Sequence, residues 1–176
     1  GLVAYWPLEN DLLDESGNGH HGASNCPLFD SGLVLSAESS PVLLPSSLEI
    51  DGTQGGITLG GWMKLDSANS NWKLALDLTD GNANNAWNDR ALISYQKQNE
   101  IPGWFTGGHF DNDISTDYTL FAPDSGLEGS WRHVIASFDF EGTIRLYVNG
   151  TLIGESEDVS AIGDCYLTGG NEGSRI

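Results

Sequence analysis

Residues 131–155, WRHVIASFDFEGTIRLYVNGTLIGE, contain two alternating stretches and a tight turn. In the first stretch, apolar side chains share one face: Val134, Ala136, Phe138 and Phe140. The other face carries His133, Ser137 and Asp139. In the second stretch Ile144, Leu146 and Val148 alternate with Arg145 and Tyr147. Alternation with a period of two is typical of half-buried strands. Asn149-Gly150 predicts a two-residue turn with positive φ at both positions, so that residues 151–155 return as the second strand of a hairpin.

The rest of the chain repeats this pattern of short β-rich stretches separated by Gly, Asn, Asp, Ser and Pro. Further strands are predicted at residues 2–6, 32–36, 41–44, 48–50, 57–65, 73–78, 90–97, 103–110, 117–121 and 164–168. Many short strands without intervening helices indicate an antiparallel sandwich or barrel. Residues 79–89 and 111–117 are predicted loops, and loops of this size are often functional. No repeat or low-complexity linker divides the chain, so residues 1–176 are predicted to form one domain.

The charge of the chain narrows the classes of partner. Seven Lys and Arg stand against 25 Asp and Glu, which gives a formal net charge of −18. Such a surface repels phosphate backbones and anionic headgroups, which argues against nucleic acid as a partner. No apolar run approaches the roughly 18 residues of a membrane-spanning helix, so membrane insertion is not expected. Cations and neutral glycans remain suitable partners, and the acidity is equally explained by the solubility of an extracellular protein.

The two cysteines, Cys26 and Cys165, lie far apart in the sequence. Secreted proteins oxidise such pairs, and a disulfide between them would tie the early part of the chain to its end. Two buried free thiols are the alternative.

Four segments together resemble the laminin-G-like, concanavalin A-like jelly-roll domains of bacterial or archaeal extracellular proteins. They are LVAYWPLENDLLDESGNGHHGA at 2–23, ITLGGWMKL at 57–65, SWRHVIAS at 130–137 and IRLYVNGTL at 144–152. The resemblance implies two curved antiparallel sheets, often with bound calcium, and a role in carbohydrate binding or adhesion. It also implies that Trp6, Trp62 and Trp131 occupy core positions of the strands.

The carboxyl-terminal part departs from this family pattern. Such domains usually finish with a strand that pairs near the first strand, and the sequence up to Ile176 contains no such segment. An absent central strand would leave backbone groups unpaired and an apolar groove open. A neighbouring chain or another copy of the protein could fill that groove by strand addition. The alternative function is therefore a structural subunit of an extracellular filament or surface assembly.

The resemblance implies that Asp14 and Asn18, in the segment DESGNGHHG, are calcium ligands. Calcium takes oxygen ligands from carboxylates, carbonyls and amides, and a Gly-rich turn presents carbonyls well. The alternative is an Asx-type turn, in which the two side chains bond only to nearby backbone.

A sugar site needs aromatic rings that stack on apolar CH faces, with amides and carboxylates beside them for the hydroxyls. The segment around Trp87 offers this mixture in Asn88, Asp89 and Arg90, and Trp104 follows Pro102-Gly103 at a possible rim. These five residues are the predicted carbohydrate-binding set. The alternative for Trp87 is a loop anchor that covers a sheet edge.

Catalysis is not predicted. Residues 49–54, EIDGTQ, are similar to the Glu-x-Asp-x-x-Glu strand of certain jelly-roll glycosidases, but Gln54 is an amide and cannot act as the general acid. This segment is interpreted as a strand end followed by a turn. We therefore expect a secreted or cell-surface, non-catalytic domain that binds glycans or cell-surface polysaccharide and is stabilised by calcium.

Overall fold

The computed structural model describes residues 1–36, 40–51, 55–65, 72–79, 90–108, 118–124, 128–139, 143–156, 166–168, 174 and 176. Twelve strands run through these ranges. They are β1 (Leu28–Phe29), β2 (Leu33–Val34), β3 (Glu49–Asp51), β4 (Ile57–Lys64), β5 (Trp72–Thr79), β6 (Arg90–Gln98), β7 (Ile101–Gly108), β8 (Tyr118–Pro123), β9 (Trp131–Phe138), β10 (Ile144–Val148), β11 (Thr151–Ser156) and β12 (Tyr166–Thr168). In this part of the chain there is no helix long and apolar enough to cross a membrane.

The strands form two main antiparallel sheets and one small hairpin. One sheet has four strands in the order β11-β10-β9-β4, and the other has six in the order β3-β12-β5-β6-β7-β8. The two-residue strands β1 and β2 pair only with each other, and β1 was not predicted from the sequence. The predicted all-β antiparallel sandwich is confirmed.

The hairpin predicted from the alternating sequence is β10 and β11. Val148 pairs with Thr151 across the turn, and Asn149 and Gly150 both have positive φ, at 50° and 78°. This backbone matches the right-handed twist of paired strands, which explains why Asn-Gly is favoured there. Phe140, expected to continue the preceding strand, lies outside the described residues.

The core lies between the two sheets and follows the alternation of the strands. The four-stranded sheet contributes buried Ala136, Phe138 and Leu146, and the six-stranded sheet contributes Ile93 and Tyr95. Each of these side chains is at most 2% exposed. In β9 and β10 the buried residues alternate with more exposed ones, so the four-stranded sheet has a second, outward face, whereas residues on both faces of β6 are buried.

The beginning of the chain does not form the predicted strand at residues 2–6. Its backbone bonds mainly to side chains, and the Tyr5 carbonyl accepts the backbone N–H of Glu15 at 2.8 Å. The N–H of Tyr5 donates to Asp14 Oδ1, and the carbonyl of Val3 accepts from Ser16 Oγ and Asn18 Nδ2. That prediction is wrong because these side chains make the backbone hydrogen bonds that a neighbouring strand would otherwise make.

Residues 41–44, also predicted as a strand, pair with the end of the chain. Val42 and Ile176 exchange two backbone hydrogen bonds of 2.9 Å, and the N–H of Leu44 donates to the carbonyl of Ser174 at 3.2 Å. Ser174 is buried, and Ile176 packs against the core. Residues 174 and 176 therefore pair beside residues 42–44, an arrangement that the sequence did not predict.

Candidate functional site

Two tryptophans lie on the outward face of the four-stranded sheet. In the register of β4 with β9, Trp62 lies opposite His133 and Lys64 lies opposite Trp131. Trp62 is 65% exposed and Trp131 is 42% exposed, which is unusual for the largest apolar side chain. We call the four residues Trp62, Lys64, Trp131 and His133 the aromatic face.

The rings of the aromatic face are held in place by their neighbours. The Trp62 and His133 ring centroids are 5.1 Å apart with an interplanar angle of 35°. Lys64 Nζ lies 5.9 Å from the centroid of Trp131, within the range of a cation–π contact. A Cβ at Gly32 would lie 3.3 Å from Trp131 Cη2, so the Gly32 backbone closely abuts this ring. The rings are thus exposed but positioned.

Polar groups border the aromatic face. Asn149 is exposed, and its Oδ1 accepts the backbone N–H of His133 at 3.0 Å. Farther across the sheet, Arg145 donates from Nε to Glu155 and from Nη1 to Asp139, at 2.5 and 2.8 Å. Aromatic surface with a few fixed polar groups is the usual lining of a small-molecule site. Chemically, the indole rings can stack on the apolar faces of a ligand while amide and carboxylate groups bond its hydroxyls.

The expectation that Trp62 and Trp131 lie in the core is wrong. Ile57 and Leu59 point inward on β4, so the even-numbered Trp62 points outward. Val134 and Ala136 point inward on β9, so the odd-numbered Trp131 points outward with His133. The alternation in the sequence already contained this signal. Trp6, by contrast, packs against the core as expected and donates from Nε1 to the carbonyl of His20 at 2.7 Å.

The predicted sugar site around Trp87 lies between β5 and β6 in the sequence. Trp87, Asn88 and Asp89 lie outside the described residues, but the strand ends that flank the predicted loops are described. Thr79 at the end of β5 pairs with Arg90 at the start of β6, and Gly108 at the end of β7 pairs with Tyr118 at the start of β8. These four described strand ends therefore lie at the same end of the six-stranded sheet.

Arg90 serves an internal ion pair. Its Nε donates to Asp77 Oδ1 at 2.6 Å and its Nη2 donates to Asp77 Oδ2 at 2.7 Å. Both residues are buried, with side chains that are 11% and 2% exposed. The prediction of Arg90 as a surface ligand is corrected accordingly, since two of its N–H groups are committed to a bidentate pair inside the protein.

Trp104 is a core residue, and its predicted place at a sugar-site rim is wrong. It lies on β7 opposite Tyr95 and Ala122, on the inward face of the six-stranded sheet, and is 3% exposed. Its Nε1 is buried and has no hydrogen-bond partner among the described residues. Trp104 points inward because it pairs with the inward-facing Tyr95 in the register of β6 with β7. The sequence alone does not determine that register.

Asp14 and Asn18 form a hydrogen-bonded turn near the start of the chain. Asp14 Oδ1 accepts from the N–H groups of Tyr5 and Ser16, and Oδ2 accepts from the His20 N–H and Ser16 Oγ, all at 2.8–2.9 Å. Asn18 Nδ2 donates to the carbonyls of Leu2 and Val3. Burial alone would raise the pKa of Asp14, but these donors together hold its pKa well below the usual range.

The Asp14 turn bears directly on the calcium prediction. Four donors occupy the acceptor positions of the carboxylate that calcium would need. Among the described residues there is no group of three or more His, Cys, Asp or Glu placed to hold a metal ion. As placed, Asp14 and Asn18 fit the Asx-type turn rather than a cation site. Calcium binding stays a prediction.

Two other predicted features can be placed only in part. Glu49 and Asp51 are exposed on the short strand β3, which confirms a strand end there, while residues 52–54 lie outside the described residues. Cys26 is exposed. Cys165 lies outside the described residues, so the disulfide stays a prediction.

The two antiparallel sheets define a β-sandwich domain. The family model Laminin_G_3, described as the concanavalin A-like lectin/glucanases superfamily, matches residues 36–174, and the chain belongs to this family. A comparison with the curated proteins finds no match. The fold is shared by binding proteins and enzymes, so the activity must be argued from the residues.

Proposed function

We propose that the protein is an extracellular, non-catalytic carbohydrate-binding or adhesion domain, and that it holds glycans on the aromatic face. One observation carries the proposal: Trp62 and Trp131 are both exposed, and both contact neighbouring side chains or backbone. Membership of the lectin/glucanase superfamily is compatible with it. The acidic composition supports the extracellular location.

Exposed indole rings offer apolar surface that a ligand can cover. Removing apolar surface from water contributes roughly 25 cal/mol per Å², so a ligand that covers the rings gains this contribution on binding. Exposed apolar surface bordered by polar residues often marks an interaction site. Because the rings are already positioned, a ligand loses little free energy in ordering them, and more of the contact energy appears as affinity.

Binding without hydrolysis is part of the proposal. The segment that resembles a glycosidase strand has Glu49 and Asp51 on the exposed edge of β3, and Gln54 supplies an amide in place of the acid. A retaining mechanism needs two carboxyl groups on either side of the bond to be cleaved. Glu49→Gln should accordingly leave glycan binding unchanged, and no reducing sugar should be released by the wild-type protein.

The strand-exchange alternative rests on the family pattern of the sequence, whereas the exposed rings of the aromatic face support glycan binding. We therefore place glycan binding first.

Affinity electrophoresis through gels that contain soluble polysaccharides tests the proposal. Retardation of the wild type should be lost in Trp62→Ala and Trp131→Ala and kept in Ile101→Ala, a truncation of an exposed side chain on β7 of the other sheet. Trp87→Ala tests the loop site predicted from the sequence in the same gels. If Trp87→Ala abolishes retardation while Trp62→Ala and Trp131→Ala do not, the sugar site is the predicted loop around Trp87 and not the aromatic face.

A further inference from the structure

The charges around the aromatic face narrow the chemistry of its ligand. We propose that the aromatic face binds an uncharged polysaccharide chain and excludes sulfated or carboxylated polymers. This inference rests on the proposed function and adds the class of glycan.

The arginines of the described residues are committed to carboxylates. Arg90 bonds to Asp77, Arg132 bonds to Asp124 at 3.3 Å, and Arg145 bonds to both Asp139 and Glu155. Proteins that recognise sulfate or carboxylate groups usually present arginines whose donor pairs can reach the anion. Here those donors already serve the protein's own carboxylates.

The neighbourhood of the face is not positive. Arg145, on the same sheet, is matched by two carboxylates, which leaves a local excess of negative charge. Lys64 is the cation of the aromatic face, and its Nζ lies over the Trp131 ring. A single lysine in contact with a ring does not make a polyanion-binding cluster.

The net charge of the whole chain also disfavours the binding of anionic polymers. A net charge of −18 produces a repulsive potential for any anionic polymer that approaches. Since mobile ions screen that potential within about 10 Å at 0.1 M ionic strength, the exclusion should weaken as salt is added. An uncharged chain meets no such barrier and can approach the rings at any ionic strength.

The placement of the two rings favours a chain over a single sugar. Trp62 and Trp131 are diagonal neighbours on adjacent strands, because their direct partners are His133 and Lys64. Diagonal neighbours on one face of an antiparallel pair lie about 7–8 Å apart. A ligand that contacts both rings extends over this distance, which favours linked sugar units over a single sugar.

Polymer pairs that share a backbone and differ in charge test the inference. Suitable pairs are hydroxyethylcellulose with carboxymethylcellulose and dextran with dextran sulfate, and the neutral set is extended with mannan, galactomannan and xyloglucan. In affinity electrophoresis at low salt, at least one neutral polymer should bind, and the anionic polymer of a binding pair should bind at least about tenfold more weakly. That difference should shrink at high salt.

The variants connect this selectivity to the aromatic face. Trp62→Ala and Trp131→Ala should each weaken binding of the neutral polymer by about tenfold, while Ile101→Ala should not. A longer oligosaccharide of the bound polymer should bind more tightly than its monosaccharide by a similar factor.

The outcomes separate this inference from the proposed function. Equal or tighter binding of the anionic member of a pair, with loss of binding in Trp62→Ala, would overturn the inference and leave glycan binding on the aromatic face intact. No retardation by any polymer, neutral or anionic, would overturn the proposed function and the inference with it.

Discussion

Trp62 and Trp104 are both tryptophans and lie on strands of opposite sheets, yet Trp62 is 65% exposed and Trp104 is 3% exposed. Each lies in an eight-residue strand next to glycine, so the local sequences give little reason for the difference. The orientation relative to the core decides it. Trp104 has the parity of the inward-facing side chains of its sheet, and Trp62 has the parity of the outward-facing ones. The buried indole contributes to stability, whereas the exposed indole is available for a ligand.

The largest expected effect is that of Trp104→Ala on stability. Removal of a fully packed indole leaves a cavity and should lower the free energy of unfolding by about 3–5 kcal/mol. Trp104→Phe should cost less, because it keeps most of the volume and removes a buried N–H that has no partner among the described residues. Urea denaturation gives both values. A loss below about 1 kcal/mol for Trp104→Ala would contradict the core position.

Asp77→Ala tests the buried ion pair with Arg90 at the end of the six-stranded sheet. Loss of the carboxylate leaves the buried guanidinium of Arg90 without its bidentate partner and should cost about 3 kcal/mol. The double variant Asp77→Leu with Arg90→Met should recover much of that loss, since it removes both charges. If the double variant is as unstable as Asp77→Ala, the uncompensated charge is not the cause.

The Asp14 turn should contribute a smaller amount that depends on pH. Asp14→Asn replaces a charged acceptor of four hydrogen bonds and should lower the free energy of unfolding by about 1–3 kcal/mol at neutral pH. The folded pKa of Asp14 is depressed, so its contribution is fully present above the unfolded pKa of about 3.9 and is lost as the pH falls through the folded pKa.

Urea denaturation of the wild type and Asp14→Asn at several pH values measures this contribution. The difference between the two proteins should be constant from pH 7 to about pH 5 and should shrink below about pH 4. A difference that grows on acidification has the wrong sign for this account. Repeating the series with added calcium tests the remaining prediction, because a calcium site at Asp14 would stabilise the wild type and not the variant.

Trp62→Ala should have the smallest effect on stability of the four. The ring is mostly in water already, so its removal should change the free energy of unfolding by about 0.5 kcal/mol or less. Differential scanning calorimetry, run alongside the binding assay, checks that the variant loses binding without losing stability. A large fall in melting temperature would show that Trp62 is structural and would remove it from the binding face.

Local sequence signals predicted most of the fold. The β10–β11 hairpin follows from alternation and from Asn149-Gly150, and the strands of both sheets were located close to their observed bounds. Residues 2–6 were misassigned because Asp14, Ser16 and Asn18 satisfy their backbone, and such long-range side-chain bonds leave no periodic signal.

The candidate site was less predictable, for two different reasons. The outward direction of Trp62 and Trp131 was readable from the alternation of β4 and β9, but the family pattern suggested a core role instead. The pairing of Arg90 with Asp77 depends on the register of β5 against β6, in which Thr79 rather than Asp77 lies opposite Arg90. Register over a long connection is not fixed by either strand alone.

The indole N–H signals in ¹H–¹⁵N spectra test the central claim most directly, because they report Trp62, Trp131 and Trp104 in one titration. The six tryptophan signals can be assigned with single Trp→Phe variants and followed as an oligosaccharide of the bound neutral polymer is added. We predict that the signals of Trp62 and Trp131 shift progressively to saturation while that of Trp104 stays in place. Saturable binding that leaves Trp62 and Trp131 unmoved would contradict the account.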